Sequence, residues 1–317
     1  MLVWRIAQAT SVVVALAVLA TLVLSPALGL FITWSCLVPL VPVSLLLAPG
    51  VWRNLCPIAV LSQLPVVFGF GGSTTPAFAN RQVAPLIAAV LLFIIVPLRL
   101  VVLNDNGPAL AAFVLTVVGI GVVGTLKFRN KSAWCSSICP VLPVERLYGQ
   151  APLITVPHRH CSQCTACVRA CYDLQPRTSI EILSDGAASP KPTALGLLST
   201  PTGVFVAAFP GFVGAYFLVP AQSSVLAIYA YVAAGAAVST ALWSALGLGL
   251  GRATLTRLSA GCAAGLYYWF SVPSIAAQAH KFLGLPLCPP NLQLGIQAAF
   301  LSFSLGWMLQ RSRRLAD

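Results

Sequence analysis

Long apolar runs separated by short polar segments dominate the chain. About 20 apolar residues in a helix cross the hydrocarbon core of a bilayer, and the chain has about eight runs of roughly that length. They lie at about 2–24, 27–49, 83–103, 109–126, 194–219, 223–250, 255–272 and 292–309. A further apolar stretch, 58–72, is too short to span. The pattern therefore predicts an all-α polytopic membrane protein with about eight transmembrane helices.

The polar segments predict three parts. Residues 127–193 form the only sizeable polar region, between two four-span membrane halves at 1–126 and 194–317. Within the first half, a short polar segment at 51–57 is predicted to be a loop. The middle region is too short for a large independent core. We therefore expect a small, loop-rich, ferredoxin-like domain that rests on the bilayer.

Composition and charge support a membrane protein. The chain is 58% hydrophobic and only 8% charged, whereas soluble domains carry about 25% charged residues. The net charge of +12 does not indicate nucleic acid, because the cations flank apolar spans. With the middle region inside, every Lys and Arg except Arg99 and Lys281 falls on the inner side or at an inner span end. This predicts a bacterial inner-membrane protein with the middle region and both termini cytoplasmic.

Four cysteines in the middle region have the spacing C-x2-C-x2-C-x3-C: Cys161, Cys164, Cys167 and Cys171. This spacing is typical of cysteines that bind [4Fe–4S] clusters. Zinc sites favour pairs of cysteines with a longer spacer, and disulfide frameworks belong to small secreted domains. The motif therefore predicts a [4Fe–4S] cluster. Arg159 and Arg169 lie beside it in sequence and are expected to stabilise its reduced, more negative state.

Three more cysteines are predicted to face the same side. Cys135 and Cys139 form C-x3-C-P, and Cys56 also precedes a proline. Two complete cubane clusters need about eight thiolates, and the inner side offers one fewer. Either one cluster forms and these three thiols serve another purpose, or a second forms with another ligand. His158 and His160 are candidates for that ligand, although they also fit an ordinary loop.

The other cysteines and several aromatic residues have simpler interpretations. Cys36 and Cys262 fall within predicted spans, where a free cysteine packs as a small hydrophobe. Cys288 is predicted in an outer loop, without an assigned role. Aromatic residues near the predicted membrane faces fit interfacial belts: Trp134, Tyr148, Tyr267, Tyr268 and Trp269.

Two outer residues are candidates for a quinone site. His280 is predicted in the outer loop 273–291, where it is either an ordinary loop histidine or the proton acceptor for a quinol. Arg99 lies near the outer end of the third span. It is expected to reach toward the headgroups beside Asp105, or to bind a quinone or substrate. Quinone is therefore a second cofactor to consider.

The run KSAWCSSICPVLPVERLYG, followed by HCSQCTACVRAC, resembles membrane ferredoxin-type proteins of the NapH/MauN kind. It is also similar to the C-terminal half of NosR-type and CcoG/RdxA-type polyferredoxins. The resemblance covers about 52–171 and departs from the family at Trp52, where the first cysteine of the first loop motif is expected. The chain has one tight four-cysteine motif, where the family commonly has two. The resemblance implies electron transfer between the quinone pool or a membrane partner and a redox enzyme or its maturation system.

The sequence thus predicts a membrane-bound electron-transfer protein with a redox protein partner. Two other classes remain open. The chain is either a quinol or metal-ion reductase in its own right, or a structural or assembly subunit in which the cluster only fastens a loop. With six acidic residues in all, it offers few candidates for general acid–base catalysis.

Overall fold

The computed structural model describes residues 2–74, 76–77, 83–128, 134–150, 152–154 and 198–309. This part of the chain is helical and forms two compact units. The first unit contains the described residues up to Glu145 together with 152–154, and the second contains 146–150 and 198–309. Most of the predicted cluster domain, 127–193, lies outside the described residues, so the three-part division stays a prediction.

The first unit contains the N-terminal helices. They are α1 (Leu2–Leu24), α2 (Pro26–Phe31), α3 (Val38–Leu47), α4 (Pro49–Leu55), α5 (Pro57–Leu61), α6 (Leu64–Val67), α7 (Val83–Leu98) and α8 (Gly107–Lys127). A ninth helix, α9 (Leu142–Tyr148), contributes its first residues to this unit. Two π-helical segments, Ile32–Leu37 and Arg99–Leu103, continue α2 and α7.

The second unit contains the C-terminal helices. They are α10 (Pro201–Leu218), α11 (Val225–Leu246), α12 (Arg252–Leu283) and α13 (Pro290–Leu309). Small polar side chains join them. Ser239 of α11 donates to the Ala207 carbonyl of α10 over 2.7 Å, and Ser259 of α12 donates to Val206 over 2.6 Å. Because water is scarce between membrane helices, such hydrogen bonds help fix their packing.

Six helical stretches in the described part are long and apolar enough to cross a membrane. They are Leu2–Leu24, Pro26–Leu47, Val83–Leu103, Gly107–Lys127, Pro201–Leu218 and Val225–Leu246. All six coincide with predicted spans. The seventh and eighth predicted spans fall on α12 and α13, which are not among the six. The multi-pass character is thus confirmed, whereas the count of eight is not.

Two boundaries in the sequence prediction are wrong. The predicted loop 51–57 is mostly the helix Pro49–Leu55, which ends just before Cys56. The predicted outer loop beginning at Pro273 is also wrong, because α12 continues through this proline to Leu283. The helix then ends at Gly284, whose φ of 62° is the left-handed conformation that favours glycine after a helix.

In the first unit, the inner and outer ends predicted from the sequence are opposite ends of the bundle. Leu22, Leu103 and Leu110 form a buried cluster at one end. At the other end, Gln8 of α1 donates to the Asn54 carbonyl over 3.1 Å, and Ile154 N–H donates to the Leu47 carbonyl over 2.8 Å. The segment around Cys56 therefore lies at the end away from the 104–106 turn.

Candidate metal centre

Cys56 lies at the break between two short helices. Its φ and ψ are −54° and 115°, an extended conformation between α4 and α5. A residue before proline is driven out of the helical region because the proline ring crowds its backbone. Pro57 therefore ends α4 at Cys56 and starts the next helix. Cys56 still donates its N–H to Trp52 and accepts from Val60, so both helices hold it in place.

Cys135 and Cys139 lie on a compact turn. The N–H groups of Ser137, Ile138 and Cys139 all donate to the Trp134 carbonyl, over 3.2, 3.1 and 3.0 Å. Trp134 is itself buried, with 7% of its surface exposed. The Cys139 carbonyl then accepts from Leu142 N–H over 2.9 Å, which leads the chain into α9. The turn thus presents both cysteines from one small, internally bonded segment.

An ion pair joins the two cysteine-bearing segments. Arg53 Nε donates to Glu145 Oε1 over 2.5 Å, across 92 positions of sequence. The side chains of Arg53 and Glu145 are only 19% and 7% exposed. Arg53 lies three residues before Cys56, and Glu145 lies six residues after Cys139. This pair is the functional feature that sequence reasoning missed, because nothing in the local pattern links positions so far apart.

The three cysteines are neighbours in the folded chain. Burial raises the pKa of the Cys139 thiol well above its ordinary value, and Cys135 and then Cys56 raise it further by like-charge repulsion. Cys139 keeps intermediate exposure as a residue, but its thiol lies in the desolvated interior. Cys56 thus lies near Cys135 and Cys139 in the first unit, and we call these three residues the three-thiol group. That they face the cytoplasmic side of a membrane stays a prediction.

The three-thiol group has donors suited to soft metals. Buried thiols with raised pKa values are poor nucleophiles, and a metal that takes the place of their protons makes the thiolate stable. No set of three or more His, Cys, Asp or Glu side chains in the described ranges is arranged to hold a metal ion. The described residues therefore show three neighbouring cysteines but no three-ligand metal site.

The four-cysteine motif lies outside the described residues. This applies to Cys161, Cys164, Cys167 and Cys171, to Arg159 and Arg169, and to His158 and His160. Their predicted roles stay predictions. The described cysteines that lie nearest to the motif in sequence are Cys135 and Cys139.

The remaining cysteines are not part of the three-thiol group. Cys262 packs against the buried cluster of Ala207, Trp243 and Leu255, which confirms its predicted role as a small hydrophobe. Cys36 lies within the second candidate span, as predicted, and is exposed on its π-helical segment. Cys288 is half-buried, and its thiol approaches the Pro289 carbonyl at 3.9 Å.

The interfacial-belt interpretation holds for only part of the aromatic set. Trp269 is 38% exposed, so its place in a belt stays a prediction. Trp134, Tyr148 and Tyr268 are buried at 7%, 2% and 4% exposure, so the belt prediction is wrong for them. In the second unit the Tyr148 ring lies 6.4 Å from that of Phe209. Burial is the main cause that raises the Tyr148 pKa, followed by Tyr268 and Tyr267.

The two candidate quinone residues have protein partners. His280 lies in the last turn of α12, with Nδ1 2.6 Å from the Leu285 carbonyl, which favours the tautomer that carries a proton on Nδ1. Arg99 stacks over the Trp34 ring at 4.1 Å and donates to Asn104 Oδ1 over 2.7 Å. These contacts explain how a cation is held near the end of a span.

Comparisons of the chain with protein-family models, curated proteins and solved structures gave no match. The functional assignment therefore depends on the residues of the chain itself: the six apolar helices, the three-thiol group and the four-cysteine motif that follows it.

Proposed function

We propose that the chain is a membrane-bound [4Fe–4S] electron-transfer protein of the ferredoxin type represented by the NapH/MauN and NosR/CcoG proteins. It passes single electrons between the quinone pool or a membrane partner and a redox enzyme or its maturation system. The observation that carries the proposal is the gathering of Cys56, Cys135 and Cys139 at one end of a membrane bundle, in the segment that leads into the four-cysteine motif.

The donor set supports iron–sulfur chemistry. Thiolates are the ligands of iron–sulfur clusters, and both the motif and the three-thiol group consist of cysteines. Glu145, the acidic residue nearest to Cys139 in sequence, is already paired with Arg53. Cys161, Cys164, Cys167 and Cys171 would hold the cluster, which supplies one-electron transfer when bound.

The chain's own residues position and tune this centre. The Arg53–Glu145 pair holds the two cysteine-bearing segments together. Arg159 precedes the motif and Arg169 lies within it, between Cys167 and Cys171. Both supply positive charge, which raises the affinity of the site for an added electron. Hydrogen bonds to the cluster sulfurs and the exclusion of solvent would also affect the reduction potential of the cluster.

The proposed orientation places this end of the bundle in the cytoplasm of a bacterial inner membrane. The positive-inside distribution supports it, and a reducing compartment favours cluster assembly. We include α12 and α13 as the seventh and eighth spans. Two spans follow the middle region without α12 and α13, and four follow it with them. Because either number is even, the C-terminus lies on the same side as the middle region in both cases.

A redox assay on the purified protein tests the proposal against its alternatives. We expect the protein in nanodiscs to be reduced by dithionite and to return one electron per cluster to an artificial acceptor, without turning over quinol alone. Cys164→Ala should abolish the exchange, and Cys36→Ala, which changes the exposed cysteine of the second span, should not. Steady quinol or metal-ion reduction without a partner would instead indicate a reductase, and a centre that is silent to reduction would indicate a structural role.

A further inference from the structure

Two arginines of the second unit lie at the end of its bundle where α12 begins. The preceding helix α11, a candidate membrane span, ends at Leu246, and α12 starts at Arg252. Trp243 Nε1 donates to the Leu255 carbonyl over 3.2 Å, which fixes the start of α12 beside the end of α11. Arg252 and Arg257 belong to the first two turns of α12. They are therefore placed where a candidate span ends and the lipid headgroups begin.

A segment that is distant in sequence adds a third arginine to this end of the unit. Gln150 is buried, and its Nε2 donates to the Thr256 carbonyl over 3.3 Å. Thr256 directly precedes Arg257, and Arg146 lies four residues before Gln150, in α9. The contact thus brings a second basic segment against the start of α12.

The described part of the second unit contains no carboxylate side chain. Residues 146–150 and 198–309 include neither Asp nor Glu, and Glu145 is engaged by Arg53 in the first unit. Arg257 Nε is buried and has no hydrogen-bond partner among the described residues. A buried donor without an acceptor is costly. This guanidinium is therefore suited to an acceptor that comes from outside the chain.

We propose that Arg252 and Arg257, with Arg146 of the adjoining segment, bind the phosphate of an anionic phospholipid. The planar guanidinium of an arginine can donate two parallel hydrogen bonds to one phosphate group. Arg252 and Arg257 are half-buried, so each keeps a surface that a headgroup reaches. Basic sites between membrane helices at the cytoplasmic side hold anionic headgroups in this way, and the proposed orientation directs the start of α12 to that side.

Apolar surface next to the arginines favours a lipid over a free phosphate ion. Leu242, Leu246 and Leu248 are exposed at the end of α11 and just beyond it. Leu248 lies four residues before Arg252. A phospholipid carries both groups in one molecule, so its acyl chains can pack on these leucines while its phosphate stays at the arginines. A free phosphate ion would use only the charged part of this surface.

Lipid titration of the detergent-purified full chain, followed by native mass spectrometry, tests the inference. We expect phosphatidylglycerol to bind more tightly than phosphatidylcholine, and inorganic phosphate at the same concentration not to displace it. Arg252→Gln and Arg257→Gln should each weaken the affinity for phosphatidylglycerol about fivefold. Lys281→Gln removes an exposed cation near the other end of the same helix. It is the matched control and should leave the affinity unchanged.

Three results would overturn the inference. The first is an affinity for phosphatidylglycerol that is the same in Arg252→Gln/Arg257→Gln as in Lys281→Gln. The second is displacement of the lipid by inorganic phosphate, which would indicate a site for a free anion. The third concerns Glu181 and Asp185, which lie outside the described residues. Binding that appears only in Glu181→Gln/Asp185→Asn would show that carboxylates of the chain occupy the arginines.

Because a variant can fail to fold, photo-crosslinking of the wild type in nanodiscs gives an independent readout. The nanodiscs contain phosphatidylglycerol with a diazirine in its headgroup. We expect labelled peptides from 146–150 and 248–257, and much weaker labelling around Lys281. Equal labelling at both ends of α12 contradicts a specific site. Either result leaves the proposed electron transfer unaffected, since lipid binding requires only that the chain spans a membrane.

Discussion

Arg53 and Glu145 show how single residues position the candidate site. Removing one partner of a buried ion pair leaves an uncompensated charge, which is far more costly than losing an exposed pair. Both side chains are largely buried. Their contact links α4 to the start of α9, so it holds both cysteine-bearing segments of the first unit.

Replacing Glu145 should therefore destabilise the first unit. We expect Glu145→Gln to lower the free energy of unfolding by about 3 kcal/mol or more, measured by denaturant titration in detergent micelles. Arg5→Gln, which changes an exposed cation of α1, is the control and should change it by less than about 0.5 kcal/mol. Equal stability of the two variants would show that the ion pair contributes little.

Tyr148 predicts how stability depends on alkaline pH. Its raised pKa, caused mainly by burial, means that the folded protein holds the phenolic proton more tightly than the unfolded chain. This contribution is fully present below the ordinary pKa of 10.0 and is lost as the pH rises above it. In melting curves from neutral to alkaline pH, Tyr148→Phe should lose less stability above pH 10 than the wild type. Parallel losses in both proteins would contradict a buried, protonated Tyr148.

At the scale of elements, α10 and α11 meet through glycine. A Cβ added at Gly211 would collide with the Gly235 carbonyl and the Ser239 side chain. At Gly214, on the same helix, an added Cβ meets only Leu266 Cδ1, at an ordinary 3.7 Å. Close backbone approach through small residues is a common way for membrane helices to associate.

The two glycines should therefore respond differently to alanine. We expect Gly211→Ala to destabilise the second unit by roughly 1–3 kcal/mol, the usual cost of overpacking. Gly214→Ala should be neutral or stabilising by up to about 1 kcal/mol, because alanine favours the helix. Thermal unfolding in detergent compares the pair. A Gly211→Ala variant as stable as Gly214→Ala would show that the two helices do not pack this closely.

The elements that could be predicted are those with a strong local signal. Leu2–Leu24 has a long apolar core with few polar residues, and its predicted bounds match the helix. Proline was less informative, since Pro57 ends a helix whereas Pro273 lies inside one. In the second case the neighbouring helices pack along α12 and stabilise it across the missing hydrogen bond. The two π-helical segments leave no mark in the hydrophobic pattern and could not be predicted.

The candidate site was predictable only in its chemistry. Spacing makes cysteines such as Cys139 candidate metal ligands, because that signal is local. The meeting of Cys56 with Cys139, and the Arg53–Glu145 contact behind it, depends on tertiary packing across the whole first unit. The same limit explains Tyr148, whose position near a membrane face suggested a belt although packing buries it.

For the whole molecule, the proposed orientation makes a direct prediction. Alkaline phosphatase is active only outside the cytoplasm, and green fluorescent protein folds there only poorly after export. We expect phosphatase fused after Asp105 to be active, and a fluorescent protein fused to the C-terminus to be bright. Phosphatase fused after Phe128, at the opposite end of the fourth span, is the matched control and should be inactive. The reverse pattern would place the three-thiol group outside and remove the argument for a cytoplasmic cluster.

Iron and acid-labile sulfide analysis of the anaerobically purified wild type, with EPR of the dithionite-reduced protein, tests the central claim most directly. The account predicts iron and sulfide in equal amounts, at least about four of each per chain, with the signal of a reduced [4Fe–4S] cluster. A protein that is correctly folded in the membrane but carries zinc, or no metal and sulfide at all, would contradict it.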